Sequence, residues 1–159
     1  MAEVGTTKGR IRALSISNRK GIPKTNVPEA ELQADHGMVG DAHAGSEHRQ
    51  VSLLAGEEID ALREKGVSVA PGDFAENITT QGLDLRRLKV GTRLRIGDAE
   101  LEVTQMGKRC HGRCAIFERL GDCIMPREGA FARVVQPGRI QAGDIIEVCD
   151  DSSRDRDGQ

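Results

Sequence analysis

Leu88-Lys89-Val90-Gly91-Thr92-Arg93-Leu94-Arg95-Ile96-Gly97-Asp98-Ala99-Glu100-Leu101-Glu102-Val103-Thr104 is the stretch whose reading decides the fold. Arg93 to Ile96 and Glu100 to Thr104 alternate polar and apolar residues, as strands with one buried face do. Val90-Gly91-Thr92 and Ile96-Gly97-Asp98 are turn signals that set these short runs apart. The same punctuation recurs downstream, where Phe131 to Val135 and Ile145 to Val148 are β-type runs and Ala142-Gly143-Asp144 is a turn.

Upstream, Lys8 to Ser17 alternates in the same way and reads as a half-buried strand. Asn18 to Val27 holds Gly21 and Pro23 and reads as a loop. Glu29 to Asp35 suits a second strand, with helix as the alternative, and Arg49 to Leu54 is a short strand. Gly56 to Lys65 spaces Ile59 and Leu62 at helical intervals, and Gly66 supplies a stop. Pro71-Gly72 turns the chain into Asp73 to Thr80, where Glu76 and Asn77 beside Ile78 point inward and need partners. Ala115 to Leu120 reads as a short helical piece ended by Gly121, and Asp122 to Gly129 as a loop with Arg127 and Glu128 exposed at its tip. Many short strands, glycine-led turns and few helices predict a mainly β, barrel-like domain with one or two attached helices. Its expected span is 8–149, followed by a disordered polar tail over 150–159.

Composition narrows the class. At 159 residues, one domain can bury a core without staples. No apolar run approaches the ~18 residues that span a bilayer. The opening Met1-Ala2-Glu3-Val4-Gly5 shows no export signal, so the expected compartment is the cytoplasm, where the four cysteines stay reduced. A net charge of −2 gives no global basic footprint, which argues against nucleic acid as a partner.

Against that background, Gln105-Met106-Gly107-Lys108-Arg109-Cys110-His111-Gly112-Arg113-Cys114 stands out. A thiolate is the reactive form of cysteine, and nearby Lys, Arg and His⁺ stabilise it. The same cations hold anions, Arg as a planar fork of donors and Lys as a point charge. The stretch therefore suits a nucleophile, a sulfur carrier or a soft-metal ligand, and equally a buried cysteine pair beside a solvated basic run. His36 to Gly45, with three glycines, two histidines and Asp41, suits a loop that brings polar groups to a ligand, or an ordinary surface turn.

Four motifs in order resemble the MOSC domain, named after the C-terminal domain of molybdenum cofactor sulfurase. They are Gly40-Asp41-Ala42-His43-Ala44-Gly45, Arg49-Gln50-Val51-Ser52-Leu53-Leu54, Gly72-Asp73-Phe74-Ala75-Glu76-Asn77-Ile78 and Lys108-Arg109-Cys110. Gly-Arg-Ile and Ala-Gly-Asp near the C-terminus extend the likeness over roughly residues 8 to 148, as in small stand-alone bacterial members. The resemblance implies a barrel-like β fold with Cys110 as the functional thiol. It implies a persulfide on Cys110, received from a pyridoxal-phosphate-dependent cysteine desulfurase and delivered to the molybdenum cofactor, a molybdoenzyme or another metal–sulfur centre. No pyridoxal phosphate is expected in this chain itself. In related reductases of N-hydroxylated compounds, the equivalent cysteine ligates molybdenum bound to molybdopterin. A non-enzymatic molybdopterin-binding module is the further alternative.

On these readings Lys108, Arg109 and His111 favour the Cys110 thiolate, which is equally a soft donor for molybdenum. Arg113 or Arg127 would clamp the pterin phosphate, Glu76 and Asn77 would bond the pterin edge, and Asp41, His43 and Arg49 would line the pocket. Asp41 has a second reading as the stabiliser of its own turn. Cys114 is a candidate resolving thiol for oxidised Cys110. Cys110, His111, Cys114 and Cys123 offer zinc a poor ligand spacing. Cys149 reads as a packing residue.

Overall fold

The computed structural model describes residues 7–20, 22–45, 48–107 and 128–149. In chain order the elements are β1 (Thr7–Ile16), β2 (Thr25–Val27), β3 (Glu29–Gln33), β4 (Gly37–Met38) and β5 (Val51–Ala55). Helix α1 (Gly56–Glu64) follows, then β6 (Ile78–Gln81), a 3-10 turn at Leu85–Arg87, β7 (Arg93–Ile96) and β8 (Ala99–Met106). The last strands are β9 (Ala130–Gln136), β10 (Gly138–Gln141) and β11 (Ile145–Cys149).

Seven strands run in the order β11-β7-β8-β9-β5-β6-β1, and β1 pairs back onto β11 to close a barrel. All these pairs are antiparallel except β5 with β6, which α1 joins as a crossover. A register shift between Ile11 and Ala13 bends β1. Its first half pairs with β11 through Thr7↔Val148, and its last residues take β2 through Ile16↔Thr25. β10, β3 and β4 form a separate three-stranded sheet.

The alternation read in the sequence becomes an interior. Ile11, Leu14, Leu53, Ile78, Leu94, Ile96, Leu101, Val103, Val134 and Ile146 belong to one buried core. A second, smaller core gathers Leu54, Ile59, Val69, Phe74 and Phe131 beneath α1. Burying Ile59 there is worth about 2 kcal/mol by its apolar area. Arg12 reaches from β1 to Asp60 on α1 at 2.8 Å and to the Gly56 carbonyl at 3.3 Å, which pins the helix across the strands. Glu57 and Glu58 in the first turn and Arg63 in the last suit the helix dipole.

The expected strands and the 56–65 helix all form, and the helical alternative at 29–35 does not. Asn18 to Val27 is not wholly loop, because Thr25–Val27 finds an open edge on β1. β6 and β10 have no counterpart in the sequence reading. Glu128 is half-buried instead of exposed. The expected helical piece at 115–120, most of the 122–129 loop and the 150–159 tail lie outside the described residues.

Candidate functional site

Asp41 lies in the glycine-rich loop after β4, and its side chain has no exposed surface. Its Oδ1 accepts from Lys24 Nζ at 2.8 Å and from the Ser17 amide at 3.0 Å, while Oδ2 accepts the His43 amide at 3.0 Å. Burial alone pushes this carboxyl up, but hydrogen bonds from His43 and Lys24 outweigh it and hold Asp41 well below the usual carboxylate range. Lys24 Nζ, equally buried, also meets Ser17 Oγ at 3.0 Å and His43 Nδ1 at 3.1 Å. Asp41 therefore stabilises its turn and also anchors a cation beneath His43, whose side chain keeps 23% of its exposure.

The second motif folds into a turn around another buried carboxylate. Glu76 accepts the amides of Gly72 at 2.8 Å and Phe74 at 3.2 Å and the Thr79 hydroxyl at 2.8 Å. Burial raises its pKa, and these donors only partly oppose that. Asn77 accepts the Ser52 amide at 3.0 Å through Oδ1 and donates from Nδ2 to the Ser15 carbonyl at 3.1 Å. Both side chains are fully buried, as the sequence suggested, and their polar atoms meet the chain's own groups. Gly72 joins the two clusters: its carbonyl accepts the Lys24 amide at 2.7 Å and its own amide goes to Glu76. It has φ +96°, and a Cβ there would stand 2.5 Å from the Lys24 carbonyl oxygen.

Arg49 is exposed, with its guanidinium carbon 5.9 Å from the centre of the Phe131 ring. The neighbouring His48 meets Gln105 Oε1 at 2.8 Å through Nε2, and its carbonyl accepts from the Thr104 hydroxyl. Gln105 in turn donates to the Gly107 carbonyl at 2.8 Å. The Gly107 amide donates to the Gly129 carbonyl at 2.7 Å, so the two ends of the connection between β8 and β9 are hydrogen-bonded together. That connection carries Lys108, Arg109, Cys110, His111, Arg113, Cys114, Cys123 and Arg127, all outside the described residues. Beside its return, Glu128 lines an open cleft of about 310 Å³ with Ala55, Glu57, Glu58 and residues 82–86.

The structure thus brings Asp41 and His43 together, links them through Gly72 to Glu76 and Asn77, and puts Arg49 over Phe131. Lys24, Ser15, Ser17, Gln105 and His48 were missed by the sequence reading. Their roles come from partners distant in sequence, and nothing local in Ile22-Pro23-Lys24-Thr25 marks a buried cation. Among the described residues no three His, Cys, Asp or Glu side chains gather as a metal site. No helix among them is long and apolar enough to cross a membrane.

A family profile described as the MOSC domain matches residues 40–147, a span that holds all four motifs. No curated protein matches the chain. The chain is similar to the crystal structure of YuaD from Bacillus subtilis, with 22% identity, a TM-score of 0.75, and 90% of this chain and 96% of that one covered. It is similar to YiiM from Geobacillus stearothermophilus with 22% identity and a TM-score of 0.69, covering 88% and 74%. YiiM from Escherichia coli gives 21% identity and a TM-score of 0.63 over 87% and 69%. These likenesses establish a shared fold, and the profile match, which covers most of the chain, shows that it belongs to the MOSC domain family.

Proposed function

We propose that this MOSC protein carries sulfur as a persulfide on Cys110 and hands it to the molybdenum cofactor or another metal–sulfur centre. The observation that carries the reading is Cys110's place inside the matched 40–147 span, among Lys108, Arg109 and His111. Those cations favour the thiolate. The thiolate attacks the outer sulfur of a cysteine desulfurase persulfide, and the donor cysteine leaves as its own thiolate. A thiolate of the recipient molybdoenzyme or its cofactor then attacks that outer sulfur, the S–S bond to Cys110 breaks, and Cys110 leaves as its thiolate while the recipient carries the persulfide.

The cluster beneath His43 favours a second reading, in which the domain holds molybdopterin and Cys110 ligates molybdenum. A buried network that ends in a partly exposed ring suits a site for a bound group. Exposed Arg49 and partly exposed His43 would face such a group. Glu76 and Asn77, with their polar atoms already engaged, would shape its pocket through the 72–79 backbone. When bound, the cofactor would supply redox chemistry for reducing N-hydroxylated compounds, given an external electron donor.

Intact mass and metal content of protein from a host that makes molybdenum cofactor test both readings. Metal-free protein that gains one reductant-labile sulfur from a desulfurase is the expected result. Cys110→Ser should abolish that loading with the thermal midpoint unchanged, and Cys114→Ser should leave much of it. Equal loading of Cys110→Ser would sink the carrier assignment, and co-purified molybdenum and pterin with no added sulfur would turn it to the second reading.

A further inference from the structure

β8 carries an extra residue as it nears its connection to β9. Val103 pairs with Ala132 and Gln105 with Phe131, so Thr104 is bulged out of the ladder. Val103 and Ala132 belong to the barrel core, and strict alternation from Val103 would turn Gln105 into that core as well. The bulge puts Gln105 instead on the face of Phe131, which packs in the smaller core, and there Gln105 meets His48. The Thr104 hydroxyl spans the same place, facing the His48 carbonyl and, at 3.2 Å, the Phe131 carbonyl.

The contacts of Gln105 fix its own amide and the ring beside it. The Gly107 carbonyl, 2.8 Å away, can only accept, so the Gln105 atom facing it is the NH₂. The other amide atom is then the oxygen, and His48 Nε2 at 2.8 Å must donate to it. Neutral or protonated, the ring keeps that donor. The bonds therefore run one way, from His48 through Gln105 to Gly107, whose own amide donates to the Gly129 carbonyl at 2.7 Å. Cys110 follows three residues after Gly107. We propose that His48 and Gln105 are positioning residues, a clasp that fixes where the chain bearing Cys110 leaves the barrel and so orients its thiolate for sulfur transfer. The inference rests on the sulfur-carrier reading. In that step the thiolate attacks the outer sulfur, the S–S bond to the donor cysteine breaks, and the donor leaves as its thiolate. A displacement between two proteins depends on orientation as attack on a small free reagent does not.

Hydrogen exchange of the full chain, read by NMR at the Gly107 amide, tests the clasp without any sulfur donor. His48→Leu and Gln105→Met should each speed that exchange about threefold to tenfold, the scale of one hydrogen bond. The Val103 amide, bonded to the Thr92 carbonyl, should exchange as in the wild type. His48→Gln, whose amide keeps a donor, should restore most of the protection at Gly107. Unchanged exchange there in both variants overturns the clasp, and equal acceleration at Val103 overturns its local action. Should Gln105→Met not fold, the two His48 variants decide. Sulfur loading from a cysteine desulfurase then tests positioning. Trypsin cleaves after Arg109 and Arg113, which separates Cys110 from the other cysteines for a mass readout. At saturating donor, His48→Leu should load about threefold to tenfold more slowly and His48→Gln near the wild-type rate, while iodoacetamide alkylates Cys110 equally fast in all three. Equal loading overturns the positioning role, and so does alkylation that slows in step with loading, since the thiolate itself would then have changed. A wild type that loads no sulfur sinks the carrier reading and takes the positioning role with it, whereas the clasp is judged by exchange alone.

Discussion

Two carboxylates are buried in adjacent turns, and they are held in opposite ways. Asp41 has a cation, Lys24, at 2.8 Å, and its pKa is driven down. Glu76 has two amides and a hydroxyl as its hydrogen-bond donors, and burial drives its pKa up. The difference teaches what neutral donors can and cannot do. Hydrogen bonds fix the shape of a turn around a carboxylate, but they offset only part of the loss of water around its charge. At Asp41 the hydrogen bonds from His43 and Lys24, joined by the ammonium's charge, outweigh that loss, and the ammonium becomes a second buried charge.

The sharpest way to break the comparison is to remove the charge at each place. Asp41→Asn removes the carboxylate that pairs with the buried Lys24 ammonium at 2.8 Å and should cost about 3–5 kcal/mol in urea unfolding. Glu76→Gln puts an NH₂ against amide donors and should cost less, about 1–3 kcal/mol at neutral pH. Equal costs would mean that Lys24 is not charged in the folded protein.

The pH dependence of the same two variants should then diverge. Asp41 has a folded pKa below its ordinary 3.8, so its stabilisation is complete above that value and is lost as pH falls through the folded one. The deficit of Asp41→Asn should therefore shrink under acid. Glu76 has a folded pKa above its ordinary 4.5, so the wild type loses stability as pH rises from there toward the folded value. The deficit of Glu76→Gln should therefore shrink as pH rises. Unfolding midpoints from pH 2 to 8 check both signs, and parallel curves would refute the contrast. The smallest effect belongs to a pair that water reaches. Arg12→Ala breaks the half-exposed link to Asp60 and should cost about 0.5–1 kcal/mol, falling in high salt.

What could be read in the sequence follows the same division between local and distant causes. Arg93 to Ile96 and Glu100 to Thr104 announced β7 and β8 because alternation is written into consecutive residues. Gly66, at φ +91°, ends the chain's α1 turn region as a residue without a Cβ can. The inward turn of Glu76 and Asn77 was legible from Ile78 beside them. Ile78–Gln81 itself was not, since Thr79 and Thr80 are polar residues that become buried only between β1 and β5. Lys24 was illegible for a stronger reason. Its partners Asp41 and His43 meet it only once β1, β2 and the glycine-rich loop are assembled. The motifs marked where the site lies, while the cation that organises part of it has no pattern of its own.

The seam between β1 and β11 has a consequence in time. Thr7 pairs with Val148, so the barrel is closed by its first and last strands. A ribosome makes β1 well before β11, and loop closure over so long a stretch is slow. Until β11 arrives, β1 and β7 each present an open edge of unpaired amides and carbonyls, which invites pairing with a neighbouring nascent chain. β11 is thus the strand that ends the barrel's exposure to other copies of the chain.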